Sequence, residues 1–365
     1  MTARQVDASF RPRWWLRGRH HQSVLPSLPL RRIAVLRSAQ PLLAASRELQ
    51  LDCGDGTVLQ AFHAPPPAAH AARGAPRLAV LLHGWEGSAD SLYILSLAQR
   101  LHAHGYDVVR LNLRDHGDTH HLNRELFHSC RLPEVVGAVV RLQAAFPAHR
   151  MVLAGFSLGG NFMLRVAAEA PRASLRIARA LAVSPVLDPA RTLDALESGL
   201  WIYPRYFVLK WSRSLRRKQA AWPGEFDFAP LLRSRNLRRM TADLVRAHTD
   251  YPDLESYLAG YAITGARLAG LEVSSTILTA LDDPMIPARD LDLLPREPRL
   301  RVVVTEYGGH CGFLETLGPS SWVDEFALAE FERDAQDDAS HAGSGSEASA
   351  PAGGGEARAR LAGAA

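Results

Sequence analysis

Short apolar runs alternate along this chain with longer segments in which apolar residues recur every three or four positions. The short runs predict strands at 78–83, 107–113, 151–155, 178–184, 276–281 and 300–305. The longer segments predict helices at 91–104, 133–146, 158–170 and 321–331. Because these strands lack polar alternation and are separated by helices, they indicate a mostly parallel sheet that is covered on both faces. We therefore expect an α/β fold of the doubly wound type.

The alternation stops between residues 188 and 270, a stretch that is rich in Trp, Tyr and Arg and contains no run that predicts a core strand. Helical spacing is present at 205–217, 237–248 and 253–268. An insertion of this size predicts a helical cap over the carboxyl edge of the sheet, where ligands bind in such folds. The predicted parts are a basic N-terminal arm (1–45), a core in two pieces (46–187 and 271–333), the cap (188–270) and a tail (334–365). The tail is largely Ala, Gly, Ser and Glu, so we expect it to be disordered.

The composition is that of a globular protein. Of the 365 residues, 47% are hydrophobic and 22% are charged, which leaves ample apolar material for a core. No apolar run approaches the roughly 18 residues of a membrane span, and the N-terminus lacks the apolar segment of a secretory signal. Three cysteines without CxxC spacing argue against a disulfide framework or a zinc site. We therefore expect a cytoplasmic protein.

Basic residues are unevenly distributed, although the formal net charge is only +4. One cluster lies between residues 11 and 37, together with Trp14 and Trp15, and another lies at 205–218. No nucleic-acid-binding module accompanies them, so we expect no nucleic-acid partner. Three explanations stay open: solvated Arg side chains, steering of an anionic substrate, and peripheral contact of the N-terminal Arg/Trp segment with an acidic membrane surface.

The most informative motif is Gly155-Phe156-Ser157-Leu158-Gly159, which follows a predicted strand and opens a predicted helix. A G-x-S-x-G nucleophile elbow requires this strand-turn-helix context. The turn strains the central residue, so small residues two positions before and after it are needed to avoid a clash. The helix beginning at Leu158 would also direct its N-terminal amides at whatever Ser157 attacks. A tight turn without a catalytic role is the alternative.

A serine nucleophile needs a base and an orienting acid, which follow it in the order Asp or Glu, then His, in this kind of fold. The run LDDPMIP places Asp282 and Asp283 after one predicted strand, and TEYGGHCGF places His310 in a Gly-rich loop after the next. Both loops lie at the same edge of the predicted sheet as Ser157. Asp283 is favoured over Asp282 because the D-P-x-I-P run shapes the turn that follows it. We expect Cys311 to be a small packing residue.

A tetrahedral oxyanion is stabilised by two backbone N–H donors. One is expected from Leu158, the residue after the nucleophile, and the other from the loop after the first parallel strand. That loop is LLHGWEGS, in which His83 and Gly84 make the turn and Trp85 presents its N–H. The same residues are compatible with an ordinary strand-to-helix loop.

A second polar cluster lies in the run LRDHGDTHHL. Its titratable residues are Asp115, His116, Asp118, His120 and His121. Metal coordination is one interpretation, but the spacing matches no defined metal site. The interpretation that we favour is a loop that packs beside the active site, with Arg114 and Asp115 in structural bonds. We expect neither a metal nor an organic cofactor.

The chain resembles the YheT-like branch of the α/β-hydrolases, which also includes the mammalian ABHD1/2/3-type lipid hydrolases. The resemblance rests on the order and spacing of LLHGWEGS, NLRDHGD, GFSLGGN, LDDPMIP and GGHCGF. The N-terminal LRGRHHQSVLPSLPLRR is similar to the opening segment of that branch, in which a His-Gln pair precedes a Pro-containing arm. The resemblance covers residues 10–332, with Trp85 where the branch often has Leu. It implies an α/β-hydrolase fold, an esterase-type site carried by Ser157, Asp283 and His310, and acyl or lipid esters as substrates.

The sequence therefore predicts a serine hydrolase that cleaves a carboxylic ester of acyl or lipid type through an acyl-enzyme intermediate. A thioesterase, an amidase or a phospholipase on the same triad is an alternative, because the triad does not determine the leaving group. A non-catalytic ligand-binding protein is a further alternative, although no triad member is missing. The aromatic residues of the cap either line an acyl pocket or form the core of the cap: Trp201, Tyr203, Tyr206, Phe207 and Trp211.

Overall fold

A computed structural model describes residues 4–68 and 75–333, and the predicted disordered tail lies outside them. Its strands are β1 (Arg4–Val6), β2 (Arg47–Asp52), β3 (Val58–Ala64), β4 (Arg77–Leu82), β5 (Asp107–Leu111), β6 (Arg150–Phe156), β7 (Ile177–Val183), β8 (Ser275–Ala280) and β9 (Leu300–Thr305). Its helices are α1 (Arg19–Val24), α2 (Pro29–Ser38), α3 (Gln40–Ala45), α4 (Leu92–Ala103), α5 (Leu132–Ala145), α6 (Leu158–Glu169), α7 (Pro189–Ser198), α8 (Ile202–Ala221), α9 (Ala229–Leu232), α10 (Leu237–His248), α11 (Leu254–Gly260) and α12 (Trp322–Glu332). Short 3₁₀ helices span Trp14–Leu16, Leu25–Ser27 and Ala288–Leu293.

The strands form one sheet in the order β1-β9-β8-β7-β6-β4-β5-β3-β2. The six predicted strands are β4 to β9, and each pairs in parallel with its neighbours in this group. At one edge β2 and β3 run antiparallel, and at the other β1 joins β9 in parallel. The predicted mostly parallel, doubly wound sheet is confirmed.

The three edge strands were not predicted, for a physical reason. Continuous apolar runs are typical of strands that are buried on both faces, whereas β2 and β3 are exposed in part along their length. In β3 only alternate residues such as Leu59 and Ala61 are fully buried at its start, which is the pattern of a strand with one exposed face. β1 has only three residues and carries no periodic signal.

The sheet separates two apolar layers. Along β4, Leu78, Val80 and Leu82 belong to one buried cluster, whereas Ala79 and Leu81 belong to the other. Successive side chains of a strand point to opposite faces, so this division shows that the central strands are buried on both sides. The carboxyl edge of the sheet is therefore built on a rigid core.

Five helices, α7 to α11, lie between β7 and β8, where the cap was predicted. Predicted helices at 205–217 and 237–248 correspond to α8 and α10. A helix also begins as predicted for 253–268, but the predicted end is wrong, because α11 ends at Gly260. Gly260 packs so closely that a Cβ would lie 2.8 Å from the Cys130 sulfur. The chain then leaves the helix, and Ile263 donates its N–H to the Leu187 carbonyl.

Residues before β2 pack onto the core. Val35 of α2 and Leu42 of α3 are fully buried in the same apolar layer as α4. Arg31 is also buried, and its guanidinium donates to the carbonyl of Pro26 at 3.0 Å. Among the helices of the described residues, none is both long and apolar enough to cross a membrane.

Candidate active site

Ser157 lies at a sharp turn between β6 and α6. Its φ of 53° and ψ of −119° lie outside the regions that residues other than Gly commonly adopt. A Cβ on Gly155 would overlap the backbone of Gly159, and a Cβ on Gly159 would overlap the carbonyls of Leu82 and His83. The turn therefore needs glycine at both positions, because any side chain there would clash with the backbone. Ser157 lies at the carboxyl end of β6.

His310 connects Ser157 to Asp283. Its Nε2 lies 3.0 Å from Ser157 Oγ, and its Nδ1 lies 2.9 Å from Asp283 Oδ2. The other carboxylate oxygen, Asp283 Oδ1, accepts the backbone N–H groups of Met285 and Ile286 at 2.8 and 3.0 Å. Because a carboxylate only accepts, His310 donates from Nδ1 and its Nε2 accepts the Ser157 hydroxyl.

Two opposing effects act on the His310 imidazole. Burial disfavours its charged form, whereas the neighbouring Cys311 and the Asp283 carboxylate favour it. The pKa of His310 is raised well above its usual value as a result. His310 is consequently a stronger base than a free imidazole.

Asp282, the alternative acid, has a different position. Its Oδ1 accepts the backbone N–H of Gly309 at 2.8 Å, next to His310 in sequence. Burial raises the pKa of Asp282, and the Gly309 bond opposes that rise. The structure thus places Asp283 on the His310 ring and Asp282 on the backbone that carries the ring.

The N-terminal segment holds the His310 loop. The His310 backbone N–H donates to Ser23 Oγ at 2.9 Å. The fully buried Gln22 donates from Nε2 to the Leu314 carbonyl at 2.9 Å and accepts the Leu314 N–H at 2.8 Å. A Cβ on Gly312 would overlap the Gln22 carbonyl, so the two segments are in direct backbone contact. Gln22 and Ser23 were not among the predicted site residues; the only signal was the His-Gln pair in the N-terminal resemblance.

The loop after β4 passes directly beside Ser157. A Cβ on Gly84 would lie 3.2 Å from the Ser157 Cβ. His83 donates from Nδ1 to the Gly84 carbonyl at 2.7 Å, and its Nε2 accepts the Leu113 N–H at 3.2 Å. Burial lowers the pKa of His83 well below its usual value, so the ring is neutral and both of its nitrogens are used in holding the loop.

The predicted oxyanion donors, Trp85 and Leu158, flank this approach. Both residues line the cavity that contains Ser157. Within residues 4–68 and 75–333, neither backbone N–H has an acceptor. Buried or half-buried N–H groups are ordinarily paired, so these two donors are available to an acceptor atom of a ligand in the cavity that Ser157 also lines.

Helix α8 of the cap contacts the loop that carries Trp85. The Trp85 ring stacks on Phe207 with centroids 5.2 Å apart and meets the edge of Trp211 at 5.3 Å. Lys210 of α8 donates from Nζ to the Glu86 carbonyl at 2.8 Å. Burial raises the pKa of the Glu86 carboxyl to about 7, against the opposing effect of Lys210. Helix α8 is therefore bonded to the loop that carries one of the two free donors.

A cavity of about 730 Å³ opens from Ser157 into the space between the sheet and the cap. Its size lies within the range of small-molecule sites, about 300–1,000 Å³. Four of the five predicted cap aromatics line it: Tyr203, Tyr206, Phe207 and Trp211. Tyr203 and Trp211 are also buried in the apolar core. The fifth, Trp201, is 68% exposed and does not line the cavity, so its predicted role there is wrong.

The polar cluster at 115–121 is held by structural bonds. Asp115 forms a buried ion pair with Lys218 at 2.9 Å and accepts the Phe127 N–H. Arg114 pairs with Glu134 at 2.7 Å, as expected for a structural residue. The His residues of this loop bond to separate partners, the ring of His116 to the Arg114 carbonyl and that of His120 to the Ser214 hydroxyl. The loop thus connects the core to α8.

The fold and the site define the class of protein. The chain belongs to the α/β hydrolase fold family, whose sequence profile matches residues 79–317. It is similar to the protein of Escherichia coli (strain K12) named "Putative esterase YheT", with 28% identity over 87% of this chain and 91% of that protein. It is also similar to the protein of Bos taurus named "Phospholipase ABHD3", with 22% identity over 67% of this chain and 61% of that longer relative. The predicted resemblance to the YheT-like branch is confirmed.

Solved structures share the fold. The crystal structure of 2,6-dihydroxy-pseudo-oxynicotine hydrolase superposes with a TM-score of 0.54 and 20% identity, over 81% of this chain and 70% of that one. The α/β hydrolase GrgF from Penicillium sp. sh18 superposes with a TM-score of 0.50 and 16% identity, over 79% of this chain and 96% of that one. At these identities the likeness establishes the fold alone.

Proposed function

We propose that this protein is a serine hydrolase that cleaves a carboxylic ester of acyl or lipid type, with Ser157 as nucleophile, His310 as general base and Asp283 as the acid that orients it. The observation that carries the proposal is the continuous path from Asp283 Oδ2 through the imidazole to Ser157 Oγ, with bonds of 2.9 and 3.0 Å. Two relatives bear the words esterase and phospholipase in their names, which supports the same class of reaction.

Acylation begins when Ser157 Oγ attacks the carbonyl carbon of the ester. The hydroxyl proton passes to His310 Nε2, and the carbonyl π electrons move onto oxygen. The N–H groups of Leu158 and Trp85 stabilise that oxyanion. When the oxyanion collapses, the C–O bond to the alcohol breaks, and the alcohol leaves with the proton from Nε2.

Deacylation repeats these steps with water. His310 Nε2 takes a proton from a water molecule as its oxygen attacks the acyl carbon. Collapse of the second oxyanion breaks the bond to Ser157 Oγ, which recovers its proton from Nε2, and the carboxylic acid leaves. Asp283 accepts from Nδ1 and stabilises the imidazolium that forms twice in each turnover.

The cavity supports an acyl substrate. Its aromatic lining, which includes Tyr206, Phe207 and Trp211, offers apolar surface in the cavity that Ser157 also lines. Burying each methylene of an acyl chain there is worth about 0.8 kcal/mol. Esters with longer acyl chains should therefore have a higher kcat/KM until the cavity is filled.

The test is labelling with a fluorophosphonate probe, followed by assays on p-nitrophenyl esters of increasing acyl length. Wild-type protein is expected to be labelled and active, and Ser157→Ala to be neither. Ser88→Ala is the matched control, because Ser88 lines the same cavity and is not bonded to His310. Folded wild-type protein that is unlabelled and inactive on every ester would overturn the proposal.

A second assay measures which type of leaving group the protein prefers. An oxygen ester, a thioester and an amide of one acyl group are compared by kcat/KM. The highest value for the oxygen ester supports the proposal, whereas the highest value for the thioester or the amide makes the protein a thioesterase or an amidase on the same residues.

A further inference from the structure

Exposed apolar side chains are concentrated on two segments of the surface. The described residues include thirteen exposed large hydrophobic residues, and seven of them lie within 24–33 and 200–209. These seven are Val24, Ile33, Leu200, Trp201, Ile202, Tyr206 and Leu209. We call these residues, together with the exposed basic residues of 19–37 and 205–217, the mouth face.

The two segments meet at the opening of the cavity. His20 Nδ1 lies 2.7 Å from the Tyr203 hydroxyl, which joins α1 to α8. Val24, Ile202 and Tyr206 line the cavity and are nevertheless 38%, 40% and 48% exposed. Side chains that are both lining and exposed stand where a cavity opens to solvent. The mouth face therefore surrounds the entrance to Ser157.

Helix α8 presents apolar residues on its outer side as well as its inner side. Ile202, Tyr206 and Leu209 are spaced by four and three positions, which places them on one face of the helix. Tyr203 and Trp211 are buried on the side toward the core. A helix that faces water on its outer side ordinarily carries polar residues there. This outer face is suited to an apolar partner.

The two segments of the mouth face supply positive charge only. Segments 19–37 and 205–217 hold nine of the 42 Lys and Arg residues and none of the 38 Asp and Glu residues. Of these basic residues, Arg31 is buried and Arg217 pairs with Asp118 at 3.2 Å. A surface that combines exposed apolar side chains with an excess of positive charge is complementary to an anionic lipid interface.

We propose that the mouth face docks on an anionic phospholipid membrane, with Trp201 and Leu209 in the interface and the basic residues against the headgroups. The entrance of the cavity then faces the lipid, and an ester of the membrane reaches Ser157 without crossing water. The delivery of substrate rests on the proposed ester hydrolysis, whereas the docking does not.

Docking is measured with the Ser157→Ala chain, so that the result is independent of hydrolysis. Flotation with vesicles of phosphatidylcholine is compared with flotation on vesicles that also contain phosphatidylglycerol. We expect binding to the anionic vesicles only, and weaker binding as salt is added, because salt screens the charges. Equal binding to both kinds of vesicle, or to neither, would overturn the proposal.

The contact is located with the double variant Arg205→Glu, Leu209→Ala. Both residues lie on the mouth face and neither lines the cavity. Each unit of charge near an anionic leaflet is worth about a factor of five in binding, so reversal of one Arg should weaken binding about thirtyfold, and loss of Leu209 should weaken it further. The matched control is Val140→Ala, Arg141→Glu on α5, a helix that does not line the cavity; it should bind like the parent chain. Thermal unfolding verifies that both variants are folded.

Three results would show that the mouth face is not a membrane-docking surface. The first is unchanged vesicle binding by the Arg205→Glu, Leu209→Ala chain, or an equal loss in the α5 control. The second is loss of binding on Trp14→Ala alone, which would place the contact in the N-terminal Arg/Trp segment. The third is a dimer in light scattering that the Arg205→Glu, Leu209→Ala variant dissociates, in a chain that does not bind vesicles.

Discussion

Replacing Asp283 with Asn is the sharpest perturbation of the proposed site, because it changes which atoms donate while it preserves shape. The Asn carbonyl can still accept the N–H groups that Asp283 Oδ1 accepts at 2.8 and 3.0 Å. Its NH₂ group then occupies the position of Oδ2 and faces His310 Nδ1 at the present separation of 2.9 Å. Two donors cannot bond, so the imidazole moves its proton to Nε2. In that tautomer Nε2 no longer accepts the proton of Ser157.

The expected loss is large because the wrong tautomer removes the base. Substitutions of this kind in serine hydrolases of other folds lower kcat about 10⁴-fold, which corresponds to about 5.5 kcal/mol of transition-state stabilisation. Asp282→Asn is the neighbouring control. Its Oδ1 accepts the Gly309 N–H, which an Asn carbonyl also accepts, so we expect less than about a tenfold change.

The pH profile gives an independent readout. The reaction requires neutral His310, so kcat/KM rises with pH through the pKa of that residue in the free enzyme. Because the pKa of His310 is raised well above 6.5, the acid limb of the wild-type profile should lie above pH 6.5. Burial lowers the pKa of His310, and Asp283 is one of the groups that raise it. In Asp283→Asn the pKa of His310 should therefore fall, and the acid limb of the remaining activity should move to lower pH.

Both readouts come from hydrolysis of a p-nitrophenyl ester followed across pH, with thermal unfolding to verify the fold of each variant. The reasoning is refuted if Asp283→Asn retains activity within tenfold of wild type. It is also refuted if Asp282→Asn loses as much as Asp283→Asn, because then the separate contacts of the two carboxylates do not give them separate roles.

Three further substitutions test the structural arguments. Gly159→Ala should lower stability by about 1–3 kcal/mol or more and abolish fluorophosphonate labelling, since its Cβ overlaps backbone carbonyls; thermal unfolding and labelling measure this. Gln22→Ala should cost about 1–3 kcal/mol in urea unfolding and lower kcat, because it leaves the Leu314 N–H and carbonyl without partners beside the His310 loop. Lys218→Met should cost about 3–5 kcal/mol in urea unfolding, because it leaves the Asp115 carboxylate buried without its cation.

The last of these has a matched control on the surface. Arg124 pairs with Glu225 at 2.6 Å, but the Arg side chain is 63% exposed. Arg124→Met should therefore change stability by less than about 1 kcal/mol. If Lys218→Met and Arg124→Met lower the free energy of unfolding equally, burial does not determine how much these ion pairs stabilise the protein. Unchanged stability in Gln22→Ala, or normal labelling of Gly159→Ala, would contradict the packing described at those positions.

The sequence predicted the members of the site because each stands at the end of a buried strand. Ser157, Asp283 and His310 follow β6, β8 and β9, and the carboxyl ends of parallel strands meet at one edge of a sheet. The choice between Asp282 and Asp283 depends on the turn after β8. Proline positions favoured Asp283, but only the structure shows that it is the Asp283 carboxylate that contacts the His310 ring.

Features that depend on contacts between residues far apart in the sequence could not be predicted from the local pattern of apolar and polar residues. The helix expected at 253–268 has suitable spacing, but α11 ends at Gly260, which packs against Cys130, and that contact joins residues 130 positions apart. Gln22 is likewise an unremarkable polar residue in sequence, and its burial follows from its bonds to Leu314. No local periodicity encodes such contacts.

The bond between Gln22 and Leu314 spans 292 positions, and β1 pairs with β9 in the same region of the fold. A chain leaves the ribosome with its N-terminus first, so the segment around Gln22 cannot form this bond until Leu314 has been made. Ser157 and its elbow emerge before Asp283 and His310 have been made. At that stage the proposed nucleophile has neither its proposed base nor its proposed acid, so the proposed site can be assembled only after His310 has been made. We therefore expect fragments that end before His310 to be inactive in ester hydrolysis.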